Sequence, residues 1–133
     1  MFAVTKLIHF CYGHRLLDYQ GKCRNLHGHN AVVEVTLEKP SLDSRGMAVD
    51  FEDIKAVLKL WIDAELDHRM ILSAQDPLLP VLKQHDQAVV AFPGNPTAEA
   101  LAKHIHEYAR SRGLPVASVK FWETPSCCAS YRP

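Results

Sequence analysis

The segment GKCRNLHGHN, residues 21–30, sets Cys23, His27 and His29 within seven positions of one another, with Gly28 between the histidines. In a strand, side chains at i and i+2 point to the same face, roughly 7 Å apart along the chain, so His27 and His29 converge. Imidazole is the commonest side-chain ligand for transition metals. Three protein ligands with a fourth position open is the pattern of catalytic zinc, and His14, at the end of the preceding strand, is the topologically nearest third histidine. Cys23 has several chemistries open to it: third ligand in place of His14, redox thiol, nucleophile or base. A thiol near a divalent cation is shifted toward thiolate, and Lys22 and Arg24 add positive charge beside this one. The plain alternative is an HxH pair that is only a polar strand surface.

Two further groups could move protons or hold a ring. LDHR, residues 66–69, puts Asp67 beside His68 at a helix end, where an aspartate can orient a neighbouring imidazole. A solvated helix terminus with a dipole-compatible His68 is the structural alternative. Glu123 lies in an apolar and aromatic strand, where a carboxylate normally pairs with a charge or binds a ligand. A carboxylate accepts two parallel N–H bonds from the edge of an amino-heterocycle such as guanine or pterin. His9, His85, His104 and His106 show no such convergence.

Elements must position these groups. Residues 2–11 alternate, with Phe2, Val4, Ile8 and Phe10 on one face, and residues 29–38 set Ala31, Val33, Val35 and Leu37 against Val32, Glu34, Thr36 and Glu38. Both read as half-buried antiparallel strands. KPSLDSRG, residues 39–46, is turn chemistry. Asp50 then caps a helix over 51–66, in which Phe51, Ile54, Val57, Leu58, Trp61, Ile62 and Leu66 recur at three- and four-residue steps. A second helix follows Thr97 as N-cap, with Glu99 in its first turn and a stripe of Leu101, Ile105 and Tyr108, until Gly113 and Pro115 stop it. Residues 69–95 between the helices are rich in proline and less periodic. VASVKFWET (116–124) and CCASYR (127–132) close the chain as strands.

The order strand, strand, helix, helix, strand, strand predicts an α+β fold in which two helices cover one face of a four-stranded antiparallel sheet. The other face then needs a partner, so self-association is expected. The 133 residues suit a single domain, 1–133, able to bury a core without disulfides. Cys11, Cys23, Cys127 and Cys128 have neither CxxC nor disulfide-scaffold spacing, and reduced thiols are expected. Fifteen basic and fifteen acidic residues give no global case for nucleic acid or an anionic membrane. The longest purely apolar run, Ala88 to Phe92, is far below a membrane span, and the start has no signal-peptide core. A cytoplasmic protein is expected.

Taken in order, HRL at 14–16, CxxxHGH at 23–29, VDF at 49–51, LDH at 66–68, NPTAE at 95–99 and ET at 123–124 resemble the 6-pyruvoyl-tetrahydropterin synthase family over nearly the whole chain. The resemblance implies a T-fold: an oligomeric barrel, built from trimers that pair into hexamers. It implies zinc on His14, His27 and His29, with Cys23 as the base that removes a carbon-bound proton from the side chain of a pterin substrate. It further implies Asp67 and His68 as a proton relay reaching the cysteine from a neighbouring subunit, and Glu123 as the anchor of the pterin ring. The CxxxHGH spacing is similar to the 6-carboxy-5,6,7,8-tetrahydropterin synthases of queuosine and deazapurine biosynthesis. Those lyases convert 7,8-dihydroneopterin triphosphate to the carboxy-pterin with release of acetaldehyde and triphosphate. The pyruvoyl-forming activity is the alternative within the family, and a non-catalytic zinc-binding assembly protein is the alternative outside it. Two features depart from the family pattern: Gly13 before HRL, and a longer 73–94 segment. Lys22, Arg24, Lys120 and Arg132 are loose candidates for contacting the triphosphate.

Overall fold

The computed structural model describes residues 1–133. Strand β1 (Phe2–His14) pairs antiparallel with β2 (His27–Lys39) along their full lengths, from Phe2 opposite Lys39 to His14 opposite His27. Strand β5 (Val116–Thr124) adds antiparallel to β2, and β6 (Cys127–Tyr131) antiparallel to β5. These are the four antiparallel strands expected from period-two alternation.

The sheet is wider than that expectation. Residues 69–92, read as aperiodic, contribute β3 (Arg69–Ser73), α3 (Leu78–Gln84) and β4 (Val89–Phe92). Strand β3 runs parallel to β1 and β4 parallel to β3, giving six strands in the order β4-β3-β1-β2-β5-β6. Short continuous apolar runs, here Met70-Ile71-Leu72 and Val89–Phe92, carry no alternation to find. The long 73–94 segment therefore widens the sheet and places α3 beside it.

The helix expected over 51–66 forms as α1 (Phe51–Ile54), a π-helical stretch Lys55–Lys59, and α2 (Leu60–Glu65). Asp50 caps it, accepting from the Glu52 N–H at 2.9 Å. The wider π turn brings a four-residue step closer to a whole turn, so Ile54, Leu58, Ile62 and Leu66 stay in one buried row. Phe51, expected in that row, is 50% exposed because it precedes it by three residues at the helix start. Helix α4 (Ala98–Ser111) begins at Thr97, whose hydroxyl accepts from the Ala100 N–H, and stops before Gly113 at φ 88°. Its Tyr108 stacks on Trp61 with ring centroids 3.9 Å apart.

Both long helices cover one face of the sheet. Ile8, Phe10 and Tyr12 of β1, Ala31 to Leu37 on alternate positions of β2, and Val119 and Phe121 of β5 join Ile54, Leu58, Ile62, Leu101 and Ile105 in one buried cluster. The inward face of each strand continues into a candidate site residue: His14 follows Tyr12 by two residues, His29 precedes Ala31 by two, and Glu123 follows Phe121 by two. On the opposite face Leu7 is 53% exposed, Thr5 and Thr36 hydroxyls meet at 3.0 Å, and Lys120 pairs with Glu34 at 3.5 Å. Lys120 is thus committed to the outer face, which removes it from the candidates for an anion near the histidines. No helix is long and apolar enough to cross a membrane.

Candidate metal centre and adjoining cavities

The β1–β2 register decides the centre. Cross-strand partners on one face have Cβ atoms about 5 Å apart, and His14 is paired directly with His27 while Tyr12 is paired with His29. His14, His27 and His29 accordingly bring one ring nitrogen each to within 4.8 Å of the others. On the reverse face Gly13 stands opposite Gly28. A Cβ on Gly28 would come within 3.0 Å of the Tyr12 carbonyl oxygen, so the strands approach here as closely as glycine allows. A Cβ on Gly13 would meet the tip of the Met70 side chain, which would have to shift to admit it.

Two of the rings are aimed by their other nitrogen. His14 Nδ1–H donates to the Pro96 carbonyl at 2.8 Å, and His27 Nδ1–H donates to the Asn25 carbonyl at 2.7 Å. A carbonyl only accepts, which leaves Nε2 of both rings with a free lone pair. His14 Nε2 and His29 Nε2 face each other at 3.2 Å, close to the roughly 3.3 Å edge between two imidazole nitrogens on one tetrahedral zinc ion. His14 is only 3% exposed. Burial pushes the pKa of His14 down from its ordinary value, against the opposing pull of the Pro96 carbonyl and Glu123, and burial also lowers that of His29. Neutral imidazoles are the ligating form. The donor set, its tautomers and its spacing therefore fit a divalent ion.

The NPT motif, expected as a helix start and as part of the family resemblance, also builds the support. Asn95 clasps the backbone of Leu17, accepting from its N–H at 2.8 Å and donating to its carbonyl at 3.0 Å. Pro96 then holds His14, and Thr97 caps α4. One residue beyond His14, Arg15 binds Asp76 through Nε at 2.7 Å and through a second guanidinium nitrogen. Asp76 is 2% exposed and also accepts from the Leu78 N–H. The Arg15 bond holds its carboxyl below the usual range despite burial.

Two cavities flank the histidines. One, of about 340 Å³, is lined by His14, Cys23, Thr97, Glu99, Glu123 and Cys127 among others. Cys23 reaches it on a 3₁₀ turn, Lys22–Arg24, tied back to the segment just beyond β1 by the Leu16 N–H donating to the Cys23 carbonyl at 2.9 Å. Glu123 Oε1 stands 3.7 Å from His14 Nε2 and accepts from the Tyr12 hydroxyl at 3.4 Å. Burial, and then the Glu123 charge, push the Tyr12 phenol far up, so it stays a donor. The second cavity, about 550 Å³, is lined by His27, His29, Cys11, His68, Arg69 and Met70 among others.

The structure thus brings His14, His27, His29, Cys23 and Glu123 into one neighbourhood. Asp67 and His68 are not beside Cys23: His68 shares the second cavity with His27 and His29, Asp67 meets it at 2.8 Å, and within the chain the cysteine beside the pair is Cys11. His106, grouped with the unremarkable histidines, is 4% exposed with Nε2 unpartnered and its ring edge-on to Tyr131, away from both cavities.

Comparison with known proteins extends the match beyond the histidines. A family model described as 6-pyruvoyl tetrahydropterin synthase matches residues 3–133. The chain is 37% identical to the 6-carboxy-5,6,7,8-tetrahydropterin synthase of Rickettsia bellii (strain RML369-C), over 96% of this chain and 97% of that one. It is 40% identical to the enzyme of the same name from Aquifex aeolicus (strain VF5), over 84% of this chain and 76% of that one. Among solved structures, an uncharacterized protein from Wolinella succinogenes superposes with a TM-score of 0.83 at 31% identity, covering 98% of this chain and 97% of that one. The 6-pyruvoyl tetrahydropterin synthase of Caenorhabditis elegans superposes with a TM-score of 0.75 at 25% identity, covering 99% and 95%. The sheet with its two covering helices is therefore the expected T-fold, and with sequence and fold matching from one end to the other, this chain belongs to the 6-pyruvoyl tetrahydropterin synthase family.

Proposed function

We propose that this chain is a zinc-dependent 6-carboxy-5,6,7,8-tetrahydropterin synthase, a lyase that converts 7,8-dihydroneopterin triphosphate and water to the carboxy-pterin with release of acetaldehyde and triphosphate. The observation that carries the reading is the set of three convergent imidazoles, two of them with carbonyl-fixed tautomers, opening beside a cavity that also holds a thiol and a carboxylate. The names of its relatives favour the carboxy product over the pyruvoyl one, and queuosine-type deazapurine synthesis is the corresponding pathway.

His14, His27 and His29 would hold the ion. Bound there, zinc supplies Lewis acidity to the hydroxyls of the substrate side chain. Cys23 takes the proton from the adjacent side-chain carbon. Glu123 accepts from the exocyclic amine and ring N–H of the pterin, two parallel bonds that set the ring's orientation. Asp67 orients His68, and this pair serves as the proton relay from a neighbouring copy in a trimer or hexamer. Exposed Leu7 on the outer sheet face, beside Val32 and Trp122, supports such assembly. A single cytoplasmic domain is part of the same reading.

Incubation of the purified protein with 7,8-dihydroneopterin triphosphate should yield acetaldehyde together with 6-carboxytetrahydropterin. A pyruvoyl product would move the chain to the other branch of the family, and no turnover by zinc-replete protein would leave a binding protein. The support around His14 gives a second test. Asn95→Ala frees the 95–97 segment that aims the His14 ring, and loss of such an outer partner lowers metal affinity by roughly 10-fold or more. Competition with a chromophoric chelator reads this directly; unchanged affinity would show that Pro96 needs no anchor.

A further inference from the structure

A thiol that the proposed reaction does not use sits against the end of the first long helix. The Cys11 N–H donates to Asp67 Oδ1 at 3.0 Å, and the His68 N–H donates to the Cys11 carbonyl at 2.8 Å. Two hydrogen bonds thus clamp the backbone of residue 11 to the 67–68 corner. His68 is held at φ 58°, the left-handed region that residues with a Cβ seldom occupy, and there its Nδ1–H donates to Asp67 Oδ2 at 2.8 Å. One donor atom each from Cys11, Asp67 and His68 lies within 4.8 Å of the other two. This is the same convergence that the three histidines show.

We propose that Cys11, Asp67 and His68 form a second divalent-cation site, separate from the three-histidine cluster, which takes a borderline-soft ion such as Zn²⁺. Thiolate, imidazole and carboxylate are all zinc ligands, and three of them leave a fourth position open. Cys11 and His68 both line the 550 Å³ cavity, so an ion and its water have access. Donors on one tetrahedral zinc stand roughly 3.5 Å apart, so a side-chain adjustment brings the three donors to that spacing on binding. The His68 side chain, 79% exposed, is free to make that movement. The site is more open than the cluster around buried His14, and its affinity is correspondingly lower. One consequence rests on the function proposed above: an ion here occupies His68, so zinc beyond the first equivalent slows turnover.

Cobalt separates the two sites, because the three-histidine cluster contains no sulfur and only a thiolate ligand gives a sulfur-to-cobalt charge-transfer band in the near ultraviolet. Full-length protein stripped of metal and titrated with Co²⁺ should bind two ions per chain, the weaker one bringing the band. Cys11→Ala and Cys11→Ser should each lose the weaker ion and the band but keep the tight ion, which also shows that the chain is folded. His27→Ala should lose the tight ion and keep the band. Cys11→Ala should also relieve inhibition by excess zinc. One cobalt per chain without a sulfur band would overturn the second site and leave the three-histidine reading standing. A band that survives Cys11→Ala and vanishes in Cys23→Ala would overturn it too, and would make Cys23 a ligand instead of a base.

Discussion

Cys23→Ala should retain its zinc and lose turnover by roughly 10²–10⁴-fold, the range for a positioned proton-transfer group. The side chain lies on a surface turn and lines the cavity beside His14, while the three imidazoles already converge without it. Removing the thiol therefore takes away a proton acceptor without touching the ligand set. His27→Ala and His29→Ala should do the reverse, losing metal first and activity as a result. Metal content and kcat measured on the same preparations check both halves. Loss of zinc from Cys23→Ala would make the thiol a ligand and favour a closed structural site. Full turnover by Cys23→Ala with inactivity of Cys11→Ala would transfer the base to the thiol that Asp67 and His68 touch within the chain.

Asp76→Ala should destabilise the fold by about 3 kcal/mol at pH 7, the low end for breaking a buried ion pair by removing one partner. Asp76 has no exposed side-chain surface, whereas 20% of the Arg15 side chain keeps access to water and softens the loss. The effect should depend on pH in one direction. Because Arg15 holds the Asp76 carboxyl below its ordinary value, the folded protein binds this proton less readily than the unfolded chain. The stabilisation is complete above the unfolded aspartate value of about 3.9 and is lost as pH falls through the depressed folded value. Urea unfolding of both proteins at neutral and acid pH should show the gap closing in acid. A gap under 1 kcal/mol at pH 7, or one that stays constant into acid, would mean that the pair contributes little. The consequence reaches the metal, since Arg15 follows His14 directly and Asp76 ties that turn to the β3–α3 connection.

Much of this molecule was legible because the relevant physics is local. Alternation over 2–11 and 29–38 gives two half-buried strands, and the i, i+2 rule sets His27 and His29 side by side without any knowledge of the fold. His14 follows from the nearness of an antiparallel partner in sequence, and the Asp50 and Thr97 caps from the residues beside them. The family resemblance added roles to Cys23 and Glu123, which the tertiary structure then brings to one cavity. Other features carry no local signature. The Arg15–Asp76 pair spans 61 residues, and the bond that aims His14 spans 82. Strands β3 and β4 are too short and too evenly apolar to announce their pairing, and Phe51 obeyed the helical period yet stands outside the buried row. The meeting of Cys11 with Asp67 and His68 depends on where a helix end lands against a strand edge. The sequence by itself determined which residue types can bind a metal and which strands present them, since periodicity and side-chain chemistry are properties of neighbours along the chain. Only the tertiary structure decided which carbonyls fix their tautomers, which thiol lies beside which carboxylate and how wide the sheet is, because those depend on contacts whose loop-closure cost is met by the whole fold at once.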